Sequence, residues 1–169
     1  ELYLPLFLLL HRPLPARRYW HPAFLPAAED HRFVPAAERR AMAAKVREAL
    51  VAAATIRLRA DVPVGAYLSG GLDSSTTAAL IHRYTSLRLM TFSVGFEDAA
   101  FDETAWQEEM ARHLGTEHTA IRVGAADIAG RFPEVVWHCE TPILRTAPSP
   151  LYALSGLVRR ENYKVVLTG

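Results

Sequence analysis

The feature that most constrains the fold is a regular alternation of short apolar runs and helix-like segments from residue 64 onward. The apolar runs predict strands at Val64–Ser69, Leu87–Val94, Glu117–Val123 and Lys164–Thr168. The segments that follow them predict helices at Ser75–Tyr84, Glu103–Leu114, Asp127–Cys139 and Ser149–Glu161. Strands that alternate with helices favour a parallel sheet with helices on both faces, so we expect an α/β fold.

A long amphipathic helix is predicted before the first strand, ending at Asp61 and Pro63. Its apolar face would consist of Met42, Val46, Ala49, Leu50, Ala53 and Ile56. Trp106 and Trp137 fall at helical positions and are expected in the core, and Asp102 is expected to be an N-cap.

Polar and glycine residues directly follow the first predicted strand in the stretch SGGLDSS, residues 69–75. Gly70 and Gly71 have no Cβ, so the backbone there can adopt positive φ and approach a ligand closely. Successive N–H groups, the hydroxyls of Ser69, Ser74 and Ser75, and the N-terminus of the next helix would then face one point. This pattern predicts a phosphate-binding loop, with a helix that begins near Ser74 or Ser75.

The carboxylate of Asp73 is unusual in such a loop, because it repels phosphate unless a cation lies between them. Mg²⁺ commonly takes one or two carboxylates together with phosphate oxygens, so Asp73 indicates a Mg²⁺ site. The stretch is not a Walker A motif, because the lysine of that motif is absent. The simpler alternative is a glycine turn in which Asp73 or Ser74 caps the helix.

The SGGxDS pattern resembles the signature of the PP-loop ATP pyrophosphatases. Over roughly residues 37–169 the chain resembles the synthetase domain of glutamine-hydrolysing asparagine synthetase, through the segments DVPVGAYLSGGLDSS, TFSVGF, FDE, HLGTEH, ETPILRTAPSPLYALS and KVVLTG. The resemblance implies a truncated PP-loop (adenine nucleotide alpha hydrolase-like) fold. It also implies that ATP and aspartate form β-aspartyl-AMP and pyrophosphate, and that ammonia then displaces AMP to give asparagine.

By the same resemblance, the pyrophosphate would contact Ser69, Gly70, Gly71, Asp73, Ser74 and Ser75, with Asp73 on Mg²⁺. Leu68 and Val94 match the positions that flank the adenosine, and Thr168 and Gly169 match a pair that contacts the nucleotide. Arg145, in a proline-rich loop, is either an ordinary surface arginine or a cation for phosphate or the substrate carboxylate.

The organisation expected from these features is a fragment of a longer protein. Residues 1–36 would be a remnant of a preceding glutaminase domain and a proline-rich linker, with the apolar run Leu2–Leu10 as a strand. Residues 37–169 would be the N-terminal part of the synthetase domain. The missing glutaminase domain would supply ammonia from glutamine, and the full-length enzyme is a possible homodimer.

The net charge and the single cysteine restrict the classes of partner and the compartment that we expect. The net charge of +1 gives no general reason to expect nucleic acid or an anionic membrane as partner. A single cysteine, Cys139, excludes an internal disulfide and suits a reducing compartment, so a cytoplasmic location is expected.

Two other functions remain open. An amidotransferase or cyclase related to β-lactam synthetase would use the same adenylation on another carboxylate. A nucleotide-binding module without catalysis would retain the loop alone.

Overall fold

The computed structural model describes residues 17–24 and 34–169. The chain divides into two units, residues 1–39 and residues 40–169. In the first unit, residues 17–24 are exposed and have no regular secondary structure. The strand expected at residues 2–10 lies outside the described residues.

The second unit contains the alternation that the sequence predicts. Helix α1 (Ala36–Arg57) begins in the first unit and leads into it. The elements that follow are β1 (Val64–Tyr67), α2 (Leu72–Tyr84), β2 (Met90–Phe96), α3 (Thr104–Leu114), β3 (Glu117–Val123), α4 (Ala125–Cys139), α5 (Pro148–Arg160) and β4 (Val165–Leu167). None of the helices in the described ranges is long and apolar enough to cross a membrane.

The four strands form one sheet in the order β3-β2-β1-β4. All three pairings are parallel, with Tyr67 opposite Phe92, Ala66 opposite Leu167, and Val94 opposite Ile121. The chain moves outward from β1 through β2 to β3 and then crosses to the other side of β1 to form β4. The expected parallel α/β fold is therefore confirmed, with the carboxyl ends of all four strands at one edge.

Helices cover both faces of this sheet. On one face, a buried cluster from β1, α2 and α3 includes Ala66, Ile81 and Leu114. On the other face, α5 packs Leu154, Leu157 and Val158 against Met90 and Phe92 of β2. The alternating side-chain directions of the central strands supply both layers, which is why β1 and β2 are the most buried strands.

The strand boundaries differ from the prediction by up to three residues. β1 ends at Tyr67, two residues early, because the chain turns away at Ser69 and Gly70. β2 begins at Met90 and extends through Phe96, so Val94 lies within the strand and pairs with β3. Leu87, predicted to begin this strand, is 42 % exposed and precedes the paired residues.

The predicted apolar face of α1 is wrong. Met42, Val46, Leu50 and Ile56 are all more than two-fifths exposed. The helix instead contacts the core through Ala54 and Leu58, near its C-terminal end. Leu50 and Ala53 border a cavity that Thr77, Leu80 and Leu167 also line, and no described residue of α1 is fully buried.

The prediction that Trp106 and Trp137 are core residues is also wrong, since they are 64 % and 80 % exposed. In α3 the buried residues are Gln107, Ala111 and Leu114, so Gln107 faces the core in place of its neighbour Trp106. In α4 the face turned inward includes Ile128 and Val135, and Trp137 lies about 200° round the helix from Val135.

We expect substitution of Gly65 to show how tightly β1 packs on β2. A Cβ at this position would lie 2.7 Å from Cε2 of Phe92, whose side chain is fully buried and cannot move aside. Gly65→Ala should lower the free energy of unfolding by about 1–3 kcal/mol, measured by denaturant titration. Gly130→Ala is the matched control, because a Cβ there meets nothing within 4 Å and helix α4 should gain about 0.5–1 kcal/mol. Equal effects at both glycines would contradict this packing.

A second expectation concerns the pH dependence of stability. His118 is hydrogen-bonded through Nδ1 to the buried Thr91 hydroxyl at 2.9 Å, and Nε2 is buried without a partner in the described structure. Burial lowers the pKa of His118 below its ordinary value of 6.5, opposed by the charge of Glu108. As the pH falls below about 6.5, the unfolded chain takes up a proton that the folded chain resists, so stability decreases until the lowered pKa is passed.

His118→Gln should flatten this part of the stability profile between pH 7 and pH 5, measured by urea denaturation at each pH. Profiles of parent and variant that stay parallel over this range would contradict the assignment to His118.

Candidate functional site

The segment between β1 and α2 forms a tight turn built on two glycines. Gly70 has a φ of +84°, and Gly71 has extended backbone and is the N-cap of α2. Helix α2 therefore begins at Leu72, earlier than the predicted start at Ser74 or Ser75, because Ser75 N–H already donates to Gly71 O at 3.1 Å. Asp73 and Ser74 lie in the first turn, and neither is the N-cap that the simpler alternative required.

The serine hydroxyls in this turn form a closed ring of hydrogen bonds. Gly71 N–H donates to Ser69 Oγ at 3.2 Å, and the two oxygens of Ser69 and Ser74 lie 2.8 Å apart. The Ser74 hydroxyl donates to Gly71 O at 3.2 Å and accepts Ser69 N–H at 3.1 Å. The ring holds the loop in one compact conformation, beside the N-terminus of α2.

A cavity of about 400 Å³ lies over this loop. It is at the point where the strand order reverses, between the carboxyl ends of β1 and β4, where open parallel sheets bind ligands. The predicted site residues that line it are Leu68, Ser69, Gly71, Asp73, Ser74, Val94, Thr168 and Gly169. One cavity thus brings together residues from three separate segments of the sequence.

The end of β4 lies directly against the first turn of α2. A Cβ at Gly169 would lie 2.6 Å from the carbonyl carbon of Asp73 and would overlap the backbone nitrogen of Ser74. No side chain fits in that space. This close approach requires a glycine at residue 169, two residues after the end of β4.

Three predicted site residues do not line this cavity. Gly70 forms the back of the turn, and Ser75 lies in the first turn of α2. Arg145 lines a different cavity, of about 710 Å³, at the ends of β2 and β3, together with Asp98, Asp102 and Glu103. Both cavities open at the carboxyl edge of the same sheet.

Asp102 fixes the start of α3, next to the loop. The formal N-cap of α3 is Glu103, one residue later than predicted. The Asp102 carboxylate nevertheless accepts the Thr104 hydroxyl at 2.5 Å and Thr104 N–H at 3.2 Å, and its second oxygen lies 3.4 Å from Arg122. These contacts, led by the Thr104 hydroxyl, lower the pKa of Asp102.

Two residues beneath the loop were not identified from the sequence. The Ser93 hydroxyl donates to Leu68 O, and Gln107 of α3 donates from Nε2 to Val94 O at 3.0 Å. Nothing in the sequence distinguishes them, because a serine inside a strand and a glutamine beside two glutamates are typical of many surfaces. Their roles depend on which backbone carbonyls the fold brings near them.

Asp73 is suited to a metal ion by its surroundings. Its carboxylate is exposed at the edge of the cavity, and in residues 17–24 and 34–169 it has no hydrogen-bond partner or ion pair. An exposed carboxylate at the edge of a cavity is a type of ligand that Mg²⁺ takes.

Comparison with known proteins identifies the family of the chain. The asparagine synthase family profile matches residues 45–169, well over half of the chain. The chain belongs to the asparagine synthase family. The loop, the cavity and the β4 end all lie within the matched residues.

Curated relatives in this family differ in the activity that their names give. Asparagine synthetase [glutamine-hydrolyzing] 1 of Bacillus subtilis is 34 % identical over 125 residues, covering 74 % of this chain and 20 % of the relative. Amidase chyE of Penicillium rubens is 36 % identical over 138 residues, covering 73 % of this chain and 20 % of the relative. The chain therefore spans about a fifth of the length of these relatives.

Solved structures support the fold alone. The glutamine-dependent NAD⁺ synthetase of Acinetobacter baumannii, solved with adenosine diphosphate, superposes with a TM-score of 0.55. The match covers 75 % of this chain and 25 % of that one, at 21 % identity. The family member described here thus has the sheet and helix arrangement of the PP-loop synthetases.

We expect Gly70→Ala to disrupt the loop. A non-glycine residue at positive φ costs about 1–2 kcal/mol, and a Cβ here would also lie 3.0 Å from Cβ of Trp106. Gly115→Ala is the matched control, since Gly115 has a φ of +64° but a Cβ there meets nothing within 4 Å. Thermal unfolding should show a loss for both variants, larger at Gly70, and amide exchange at residues 69–75 should accelerate only in Gly70→Ala. Unchanged exchange in that variant would contradict the expectation.

Proposed function

We propose that this chain is part of the synthetase domain of a glutamine-dependent asparagine synthetase. In the proposed reaction an aspartate side-chain oxygen attacks the α-phosphorus of ATP, the bond to the β-phosphate breaks, and pyrophosphate leaves. Ammonia then attacks the acyl carbon of β-aspartyl-AMP, the carbon–oxygen bond to AMP breaks, and asparagine forms. The observation that carries the proposal is the convergence of loop, α2 N-terminus and β4 end on one cavity, in a chain of this family.

The residues around the cavity suit the phosphate end and the adenosine end of ATP. Backbone N–H groups at residues 69–71, the hydroxyls of Ser69 and Ser74, and the N-terminus of α2 would hold the departing pyrophosphate, with Gly70 shaping the turn and Ser75 in the same helical turn. Leu68 and Val94, together with Thr168 and Gly169, would border the adenosine. Asp73 would hold Mg²⁺, which would supply positive charge to offset that of the phosphates.

Arg145 is proposed to bind an anionic group of the substrate. It lines the second cavity, at the same sheet edge as the nucleotide site, and its guanidinium suits a carboxylate. The carboxylates of Asp98 and Asp102, which line the same cavity, would accommodate a substrate amino group. In this arrangement the acceptor would approach the nucleotide from the β2 and β3 side.

The remaining partners belong to the whole enzyme. Ammonia would come from glutamine hydrolysed by a separate domain preceding this chain, and residues 1–36 would connect to it. We place the enzyme in the cytoplasm, where ATP, aspartate and glutamine are available, and as a homodimer in its full length.

A second candidate uses the same site for another carboxylate. Amidases of Penicillium rubens and Gibberella zeae match at 36 % and 33 % identity, close to the values for the asparagine synthetases. An acceptor other than aspartate would change the second cavity and leave the nucleotide site intact. Pyrophosphate release by the full-length protein, measured with aspartate and with a panel of other carboxylates, separates the two functions.

The Asp73→Asn variant tests the role of the carboxylate. Asn keeps the size of the side chain, and Asp73 makes no hydrogen bond to any described residue, so the melting temperature should change little. Mg²⁺-dependent pyrophosphate release by the full-length protein should fall about a hundredfold or more, a loss of about 3 kcal/mol of transition-state stabilisation. Glutamine hydrolysis, which is separate chemistry, should persist.

The control for this experiment is Asp61→Asn, which removes one exposed carboxylate before β1 and away from the cavity. It should leave pyrophosphate release within twofold of the parent. The proposal fails if Asp73→Asn binds Mg–ATP and releases pyrophosphate as the parent does.

A further inference from the structure

Gln107 is a polar side chain in the interior, directly beneath the loop. It is 2 % exposed, and its Nε2 donates to two backbone carbonyls, Val94 O at 3.0 Å and Ser69 O at 3.4 Å. Ser69 follows β1 and Val94 belongs to β2, and both line the cavity. One amide group therefore joins two walls of the nucleotide site.

This bridge continues the β1–β2 pairing past the end of β1. Leu68 N–H donates to Phe92 O at 2.9 Å, and the Ser93 hydroxyl donates to Leu68 O. One residue further, the strands diverge, and Gln107 spans the gap to Ser69. The carbonyls of Leu68 and Ser69 are thus each held by a side chain from outside the loop.

Helix α3 brings Gln107 to this position and is itself fixed at its start. Phe96 N–H donates to Asp102 Oδ1 at 3.4 Å, which ties the end of β2 to a residue two positions before α3. The first turn of α3 also supports Gly70: an atom at the Cβ position of Gly70 would lie 3.4 Å from Glu103 O and 3.5 Å from Gln107 N. The loop therefore packs against α3, and the start of α3 is held by a hydrogen bond from the end of β2.

The hydrogen bonding of Gln107 is concentrated on its nitrogen. Gln107 Oε1 is buried without a hydrogen-bond partner in the described structure, and an unsatisfied buried acceptor costs about 1–3 kcal/mol. The Nε2 group offsets that cost, because it donates to the carbonyls of Ser69 and Val94, which an apolar side chain of the same size would leave without this donor. The contribution of the amide therefore lies in the two carbonyls that it joins.

We propose that Gln107 is a positioning residue that fixes the phosphate-binding loop relative to the adenosine-flanking end of β2. It acts through the carbonyls of Ser69 and Val94 and does not touch the nucleotide. The inference rests on the proposed nucleotide site. It adds a residue that sets the distance between the phosphate-binding loop and the adenosine-flanking end of β2.

Two substitutions at Gln107 test the bridge. Gln107→Met keeps the volume and removes both hydrogen bonds, and Gln107→Glu replaces the donor with an acceptor facing two carbonyls. The matched control is Thr91→Val, near the start of β2. It removes the fully buried hydroxyl that hydrogen-bonds to His118 and to Glu117 O.

Amide hydrogen exchange of the chain without nucleotide gives the first measurement. In both Gln107 variants, residues 69–75 should exchange at least tenfold faster, beyond any change common to the whole sheet. Thr91→Val should change exchange near the start of β2 and leave the loop unaffected. Loop exchange equal to that of the parent in Gln107→Met would overturn the inference, whatever the function of the site.

The second measurement is the binding of Mg–ATP, monitored by calorimetry under conditions in which all variants are folded. The dissociation constant should rise about tenfold in both Gln107 variants and by less than twofold in Thr91→Val. Faster loop exchange with unchanged affinity would overturn the positioning role. Absence of Mg–ATP binding by the parent, in the full-length protein, would instead overturn the proposed function and leave the exchange result to stand by itself.

The pH dependence of Gln107→Glu supplies a signature that lost packing would not produce. A protonated carboxyl group donates one hydrogen bond, so the affinity of this variant should recover by about threefold or more relative to the parent as the pH is lowered from 8 to 6. Gln107→Met should track the parent over this range. A Glu variant that also tracks the parent would show that the donated hydrogen bond does not set the affinity.

Discussion

The reversal of strand order beside β1 is the constraint on which the rest of the molecule depends. Because β2 and β4 both pair with β1 and run parallel to it, the carboxyl ends of these strands lie side by side at one edge of the sheet. Ser69, which follows β1, and Gly169, which follows β4, therefore line one cavity, although a hundred residues separate them in the chain. Open parallel sheets bind ligands at such a reversal of strand order, outside the carboxyl ends of the strands.

The general fold and the position of the loop could be predicted from the sequence, since both depend on local patterns. Apolar runs bounded by turn residues identify four strands, and SGGLDSS marks where a strand gives way to a helix. The exact start of α2 could not be predicted in this way. Its N-cap is Gly71, which has no side chain to form the hydrogen bond by which caps are recognised.

The errors at the helix faces have one cause. Apolar periodicity identifies a stripe on a helix, but the side that packs depends on how close the neighbouring backbone comes. Trp106 was expected inside, yet the Gly70 backbone lies against its Cβ, so the ring extends into solvent and the slimmer Gln107 faces inward. Gln107 and Ser93 could not be identified as site residues, because the carbonyls they hold are distant in sequence.

In the proposed site, the hydroxyl ring of Ser69 and Ser74 would determine which anions the loop prefers. Its N–H groups at residues 69 and 71 are already bonded to serine oxygens, so an incoming anion exchanges hydrogen bonds instead of forming them anew. An ion that offers one acceptor atom only replaces what the serines provide. A ligand with several oxygens would accept hydrogen bonds from both N–H groups and also from the two serine hydroxyls that it displaces. In the proposed site the loop would therefore favour a chain of phosphates over chloride through the number of acceptor atoms, with no lysine or arginine among the described residues that line the cavity.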